Sequence, residues 1–447
     1  YGMDNLVHSV AAELNSRLND NMSNSFRITF DKKDDVRASN SDEFPFIDIL
    51  DGSGDINNYM ALGYELFTWN NAVHNTVWQV KDDFTYFLGK HKLTAGLFYE
   101  HQMADNQYMR NGSGYYRYNS VNDFLTGAVP EVVCLTYGYD GEQKPAARVQ
   151  FHTGSLYLQD EWDVADNFKL TGGVRFDGLF FDNSDLLTNA AVLALDYYDN
   201  EGNVRHIDTG KWPAAHVTVS PRVGFTWDVL GDRSLTVRGG TGLFQGRLPL
   251  VFFTNMPTNG GLVQYQAKLN ATGANSATKS DMTQFAGGLV TDANGKATVD
   301  ALYNKLVGMG FPETVSPEDG KASNGICAVD PNFKMPQVWK TSLAVDYSFP
   351  TSFPLTLTAE GIFNKTINAV CISDWSVSPV GGFARFNGVD NRPIYPAGYR
   401  NNYSAFVLEN TKKGYGWSAN VVLNARPTQA LSLMAAYTHT VSKEITG

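Results

Sequence analysis

The residues of this sequence that are most able to bind or react are charged side chains that recur at every second position. Arg175 and Asp177 stand two residues apart, and Arg238, Asp346 and Glu360 follow the same alternating pattern in later segments. In an extended strand, alternate side chains point to one face, so each segment has a polar face and an apolar face. We expect the five charged side chains to face water.

The sequence lacks the motifs of hydrolytic enzymes and of nucleotide binding. Gly112-Ser113-Gly114 and Gly154-Ser155 do not have the GxSxG spacing of an exposed serine nucleophile, and the eight histidines form no HExxH motif. There is no GxxxxGKS/T phosphate loop. The glycine-rich stretch 238–242 lies inside a predicted strand, where glycines let the strand bend. We therefore predict that the chain is not an enzyme and uses no cofactor.

Metal binding is also not indicated. The acidic stretches 31–35 and 196–201 could offer oxygen ligands to calcium, but neither has EF-hand spacing, and solvated loop tips are the better interpretation. Cys134, Cys327 and Cys371 show no CxxC spacing and fall in predicted loops. We predict no metal site and at most one disulfide. Whether the cysteines join two loops in an oxidising compartment or stay free is left open.

Composition narrows the class of protein further. The formal net charge is −11, and no basic stripe is available to phosphates, which argues against a nucleic-acid partner. No run of eighteen apolar residues occurs, so no transmembrane helix is predicted. Aromatic residues make up 13% of the chain, which suits a large β protein.

Long strands must position the charged residues. The stretch 217–245 predicts a hairpin joined by Gly231-Asp232-Arg233. Strands of about a dozen residues exceed the usual five or six, whereas a tilted strand needs roughly nine to eleven residues to cross a bilayer. Similar patterns predict about fourteen strands in all. The predicted strands are 8–18, 24–31, 44–50, 58–68, 75–88, 91–103, 151–164, 168–181, 217–230, 234–245, 336–349, 353–365, 415–426 and 431–441.

The lengths of the connections decide between a soluble sandwich and a membrane barrel. Short turns near residues 89, 166, 232, 351 and 428 alternate with long connections at 104–150, 182–215, 247–335 and 366–414. Long structureless loops are uncommon in a compact soluble domain, but barrels of outer membranes have short periplasmic turns and long extracellular loops. We predict an all-β fold, a transmembrane antiparallel β-barrel. Arg175, Asp177, Arg238, Asp346 and Glu360 would then face its lumen.

The long connections are rich in tyrosine, whose ring offers contact area at a small entropic cost. We predict that they capture a substrate. The candidate capture residues are Tyr108, Tyr115, Tyr116, Tyr118, Tyr197 and Tyr198.

Four stretches carry a recognisable pattern: LYLQDEWDVADNFKLTGGVRFD at 156–177, the hairpin at 220–249, DPNFKMPQVWKTSLAVDY at 330–347 and ENTKKGYGWSANVVLNARP at 409–427. In these stretches the sequence resembles the TonB-dependent outer-membrane receptors, and the resemblance as a whole covers nearly the entire chain. The segment PNFKMPQVWKTSLAVDY points more narrowly to the Oar-like branch that is common in Bacteroidetes.

The resemblance implies the outer membrane of a Gram-negative cell, a barrel of about twenty-two strands, an amino-terminal plug and a TonB box. It also implies the bilayer and, through an N-terminal segment, the TonB–ExbB–ExbD energy complex as partners. The sequence contains neither plug nor TonB box, so we expect residues 1–447 to be a partial barrel domain, with the plug and the C-terminal strands outside it.

Two functions remain open at this point. The first is a transporter that captures a substrate with its outer loops and imports it through a plugged barrel with energy from the inner membrane. The second is an adhesion or binding barrel that displays its loops without active transport. The sequence does not specify the substrate, for which a peptide or protein, a glycan and a chelate are candidates. A surface lipoprotein is a further candidate partner.

Overall fold

The computed structural model describes residues 1–248, 251–271, 282–318, 320, 325–377, 383–395 and 404–444. Its main body is one large sheet, here called the wall. Twelve long strands build the wall: β1 (Gly2–Asn19), β2 (Met22–Ala38), β3 (Ala72–Leu88), β4 (His91–Gln107), β5 (Ala147–Ala165), β6 (Phe168–Phe181), β7 (His216–Asp228), β8 (Leu235–Gln245), β9 (Gln337–Ser348), β10 (Leu355–Asp374), β11 (Tyr415–Thr428) and β12 (Leu431–Lys443).

Each wall strand pairs antiparallel with the next one along the chain. Two further strands, Gly325–Val329 and Ser404–Thr411, extend the sheet beside the far end of β10. The first and last wall strands, β1 and β12, are not paired with each other in the described residues. The predicted all-β fold with a large antiparallel sheet is confirmed, and the wall is open along these two edges.

The predicted alternation of connection lengths is also confirmed. Short turns lie at one end of the wall, at residues 20–21, 89–90, 166–167, 229–234, 349–354 and 429–430. The opposite end, here called the outer end, carries the connections 39–71, 108–146, 182–215, 246–336 and 375–414.

The turn after β7 illustrates how the short turns form. The Asp228 carboxylate accepts hydrogen bonds from the backbone N–H groups of Gly231 and Arg233, each at 3.0 Å. Both of these residues have positive φ angles, of 79° and 62°. Glycine adopts this conformation readily, and the aspartate side chain holds the arginine in it.

The strand register separates a polar face from an apolar face. Arg175 lies opposite Tyr157 on the neighbouring strand, whereas Phe176, one residue later, lies opposite Leu156. Leu156 is 64% exposed and Phe176 is 44% exposed, so the apolar face has no protein cover. We call the polar face the inner face.

Two predicted strands, 44–50 and 58–68, are not part of the wall. They correspond to a short hairpin, Phe46–Leu50 and Asn58–Leu62, in the 39–71 connection at the outer end. The first of these strands pairs in parallel with Tyr115–Tyr118. A short apolar strand has the same pattern in a wall and in a loop domain, so its partner alone decides where it lies.

Two of the predicted long connections, 104–150 and 247–335, were expected to be irregular, and this expectation is wrong. Strands in the observed connections 108–146 and 246–336 join those of 39–71 in a five-stranded sheet, here called the outer sheet. Its strands, in spatial order, are Gln264–Asn270, Val132–Gly138, Tyr115–Tyr118, Phe46–Leu50 and Asn58–Leu62. Its core buries Ile47, Leu135 and Phe285 to 1% exposure or less.

Four α-helices occur in the described parts of the connections: Val121–Thr126, Ala190–Leu193, Val251–Thr258 and Val299–Gly308. The last of these packs Leu302 and Leu306 into the core of the outer sheet. Val251–Thr258 places Phe253 and Met256 in a second buried cluster, with Phe151 and Leu179 of the wall. No helix in the described ranges is both long and apolar enough to span a membrane.

Candidate functional site

The inner face of the wall holds the predicted charged residues, and the register brings several of them together. Arg175 donates to Asp177 Oδ1 at 2.7 Å and to Ser155 Oγ at 2.8 Å. Ser155 in turn donates to the same Asp177 oxygen at 2.6 Å. Asp177 is only 7% exposed, so its charge is held by a partner within hydrogen-bond distance, as a buried carboxylate requires.

Tyr157 extends this group along the inner face. Its ring centroid lies 5.2 Å from the guanidinium carbon of Arg175, and its hydroxyl donates to Asp83. Lys81 forms an ion pair with the same aspartate at 2.6 Å. Sequence reasoning did not select Tyr157, although its place two residues after Ser155 put it on the polar face.

Arg238, Asp346 and Glu360 form a second group on neighbouring strands. Arg238 Nε lies 3.0 Å from Asp346, and its Nη1 lies 3.7 Å from Glu360. Thr358 donates to Asp346 at 2.7 Å. Thus all five charged residues selected from the sequence lie on the inner face, in two separate groups.

A third charged contact, which sequence reasoning did not predict, lies at the outer end of the inner face. Arg247 donates to Glu100 Oε2 at 2.7 Å, and Gln79 donates to the same oxygen at 2.6 Å. Glu100 is 2% exposed. The alternation of side chains in β4 puts Glu100 on the polar face, but no local signal links it to a residue so far along the chain.

A cavity of about 890 Å³ occupies the inner face. Residues from β3 to β11 line it, among them Lys81, Arg175, Arg222, Lys340 and Ser418. Strands so far apart can border one cavity only if the sheet curves around it, so the inner face is the concave face. A smaller cavity of about 250 Å³ lies next to it, beneath Arg247.

The six tyrosines selected as capture residues have different environments. Tyr116, Tyr118 and Tyr197 are fully buried, and the first two belong to the core of the outer sheet. Burial raises the pKa of the Tyr118 phenol to about 12. These three rings stabilise the interior, and a capture role for them is corrected. In the strand Tyr115–Tyr118 the burial alternates, so Tyr116 and Tyr118 lie in the row that faces the core and Tyr115 lies in the other row.

The other three tyrosines reach the surface. Tyr108, just after β4, is 40% exposed. Tyr115 is half-buried; its hydroxyl donates to Asp48 at 2.7 Å, and its pKa is raised by burial and by that carboxylate. Tyr198 is partly exposed. They remain candidates for contact with a substrate.

The cysteines were expected to lie in loops, and this expectation is wrong. Cys134, Cys327 and Cys371 are in strands, and their thiols are free. Burial raises the pKa of Cys134 to about 11. In the described part of the chain, no group of three metal-ligating side chains comes together.

The comparison with known families agrees with this geometry. The model of an outer membrane beta barrel domain matches residues 3–446. This chain belongs to that family. The outer membrane beta barrel domain therefore lies in the outer membrane, where its exposed apolar face contacts lipid.

The solved structure of an outer membrane transporter has a similar fold. The outer membrane transporter YddB from Escherichia coli matches this barrel domain with a TM-score of 0.51 and 13% identity, over 98% of this chain and 42% of its own. The copper transporter OprC has a TM-score of 0.49 and 12% identity, over 99% of this chain and 48% of its own. A variant of the ferric enterobactin receptor PfeA from Pseudomonas aeruginosa has a TM-score of 0.47 and 13% identity, over 98% of this chain and 43% of its own.

The chain thus spans less than half the length of these three structures. No curated protein sequence matches the barrel domain significantly. At such low sequence identity, the similarity concerns the fold.

Proposed function

We propose that this protein is an outer-membrane transporter of the TonB-dependent kind. Its outer connections capture a substrate, which crosses the membrane through the space that the inner face encloses. The observation that carries the proposal is the cavity of about 890 Å³ on a concave wall whose charged side chains pair along the surface. Such a wall suits a wide polar passage, because ion pairs such as Arg175–Asp177 and Arg238–Asp346 lie along the surface and leave the space open.

The proposal includes parts of the protein beyond the wall. A sheet with unpaired edges is not stable in lipid, where backbone N–H and C=O groups find no partners. We propose that further strands pair with β1 and β12 to close the barrel, and that a plug domain fills it. Energy would reach the plug through the TonB–ExbB–ExbD complex. The fold similarity to YddB, a transporter, supports this scheme.

The branch of the family and further partners are likewise proposals. The segment 330–347 supports an Oar-like receptor of the kind common in Bacteroidetes. The folded outer sheet offers a platform on which a surface lipoprotein could sit. The substrate class is a peptide or protein, a glycan or a chelate.

A second function, adhesion, is favoured by one observation. The edge strand Asn58–Leu62 of the outer sheet is exposed along its whole length, and Tyr59 is 64% exposed. An exposed strand edge can pair with a strand of another protein. A barrel that only displays this sheet would need no energy.

The energy dependence of uptake separates the two functions. Cells that express the full-length gene would be compared with cells in which the TonB coupling segment is disrupted, with labelled peptides, glycans and metal chelates as substrates. We expect uptake of one class to collapse. Unchanged uptake of every class, together with lost binding to surfaces or partner cells when 58–62 is replaced, would overturn transport in favour of adhesion.

A further inference from the structure

We propose that the inner face contains a binding site for an oxyanion, a carboxylate or a phosphate, between Arg222 and Lys340. The inference rests on the proposed function, because it names a chemical class for the solute that enters the cavity. It follows from four features of the cavity: the placement of two cations, the lack of carboxylates to pair with them, an unused buried hydroxyl and the size of the space.

The register places the two cations in one row across three strands. Arg222 lies opposite Gly242, and Gly242 lies opposite Lys340. Gly242 has no side chain, and a Cβ there would come within 2.9 Å of Arg222 Cγ. The glycine therefore leaves the space between the two cations open.

Both cations lie over the same aromatic ring. The guanidinium carbon of Arg222 is 4.5 Å from the ring centroid of Phe244, and Lys340 Nζ is 5.8 Å from it. An aromatic face attracts cations weakly, so it holds two like charges beside one ring without neutralising them. A bound anion would relieve their repulsion.

Carboxylates are scarce around these two side chains. Of the four cations that line the cavity, Lys81 and Arg175 have aspartate partners at 2.6 Å and 2.7 Å. Arg222 and Lys340 take part in no ion pair within the described residues. The one carboxylate among the described residues that line the cavity, Glu360, is paired with Arg238. In a chain with a net charge of −11, this is a local excess of positive charge.

Neutral polar groups complete the site. Ser220 lines the same cavity and is 1% exposed, and its hydroxyl has no hydrogen-bond partner in the described part of the chain. Asn364, opposite Lys340 on β10, also lines the cavity. The side-chain oxygen of Asn364 is buried without a hydrogen-bond partner in the described residues. The Ser220 hydroxyl and the Asn364 amide nitrogen can donate hydrogen bonds in addition to the guanidinium and the ammonium, and donors of these kinds are typical of an oxyanion site.

The size of the space indicates what carries the oxyanion. A cavity of about 890 Å³ holds far more than a phosphate ion, so the anion is one group of a larger molecule. Two sources have this chemistry: a soluble organic anion, and an acidic side chain from a part of the protein outside the described residues.

The test uses the full-length protein, purified in detergent. Binding of citrate and of inorganic pyrophosphate would be measured by titration calorimetry in the wild type, in the double variant Arg222→Gln with Lys340→Gln, and in Lys169→Gln. Lys169 is the matched control, because it lies on the same inner face of the wall but is paired with Glu161 and Asp163. We expect the double variant to bind the probe at least about tenfold more weakly, and the control to bind within about twofold of wild type.

A second measurement identifies the source of the oxyanion. The midpoint temperature of thermal unfolding would be measured for the same three proteins. If the wild type binds neither probe, and the double variant unfolds at a lower temperature than Lys169→Gln, an acidic side chain of the protein occupies the site. Equal probe affinity in the double variant and the wild type would overturn the proposal, as would neither binding nor a midpoint difference. These measurements need no energy source, so their failure leaves the outcome of the uptake experiment unaffected.

Discussion

Arg247 Nη2 lies 2.7 Å from Glu100 Oε2 and so ties the beginning of the longest connection to the inner face of the wall. Arg247 follows the end of β8, whereas Glu100 lies on β4, and the contact crosses the strands between them. Arg247 is 66% exposed at its side chain and Glu100 only 2%. The Glu100 carboxylate is thus held in place within the wall, and the exposed Arg247 side chain is the partner that can move away.

Replacement of Arg247 by glutamine should loosen the attachment of the 246–336 connection. The buried Glu100 carboxylate would keep only the hydrogen bond from Gln79, at a cost of about 1–3 kcal/mol. Hydrogen exchange in the residues after β8 should become faster. The control is Arg148→Gln, which breaks a pair with Asp105 that lies within the wall. Unchanged exchange in Arg247→Gln would show that the contact does not hold the connection.

Truncation of Leu135 should unfold the outer sheet without opening the wall. Leu135 is completely buried in the core of that sheet, and removal of a buried leucine side chain costs about 2–5 kcal/mol. Limited proteolysis should cut the Leu135→Ala variant within 108–146 and 246–336. Leu125→Ala is the control, because Leu125 is 75% exposed. Cleavage of both variants at the same rate would contradict an independent core at the outer end.

Two neighbouring tyrosines should respond in opposite ways to loss of the hydroxyl. The Tyr118 hydroxyl is buried and has no hydrogen-bond partner within the described ranges, so Tyr118→Phe should be neutral or slightly stabilising. The Tyr116 hydroxyl accepts a hydrogen bond from the backbone N–H of Val290 at 3.3 Å, and Tyr116→Phe should cost about 1 kcal/mol. Thermal unfolding of the outer sheet, followed by near-ultraviolet circular dichroism, would rank the two variants. The reverse order would refute this assignment.

Gly96 should be required for the position of Tyr157 on the inner face. A Cβ at Gly96 would lie 2.2 Å from the Tyr157 ring, so Gly96→Ala must displace the ring and break its hydrogen bond to Asp83. We expect the free energy of unfolding to fall by about 1–3 kcal/mol. The heat-induced mobility shift on a gel should then occur at a lower temperature. Gly172→Ala is the control, because a Cβ there meets nothing within 4 Å. Equal midpoints for the two variants would contradict the close contact.

Cys134 should resist alkylation in the folded protein. Its pKa is raised to about 11 by burial, and a raised pKa means that the reactive thiolate is depleted at all pH values below it. At pH 8 we expect N-ethylmaleimide to modify Cys371, which is partly exposed, and to leave Cys134 unmodified until denaturant is added. Peptide mass mapping would measure both sites. Equal rates in the native protein would refute the burial of Cys134.

The wall could be predicted from the sequence with close agreement at its clearest strands. Strand β6, Phe168–Phe181, has the bounds that its alternation predicted, because the period of two is a local property of an extended chain. The same alternation placed Arg175 and Glu360 on one face. Their individual partners could not be predicted, since the partners depend on which strand lies beside which.

The outer sheet and the oxyanion site depended on the tertiary structure. Tyr115 and Tyr116 are adjacent in sequence, yet one is half-buried and the other has no exposed surface. Arg222 and Arg175 have the same side chain, yet only Arg175 has a carboxylate beside it. The sequence by itself determined the long strands of the wall, their faces and the alternation of turns and long connections, because these follow from local periodicity. Pairing between distant segments decided burial and charge balance, and those contacts form only when the chain is folded.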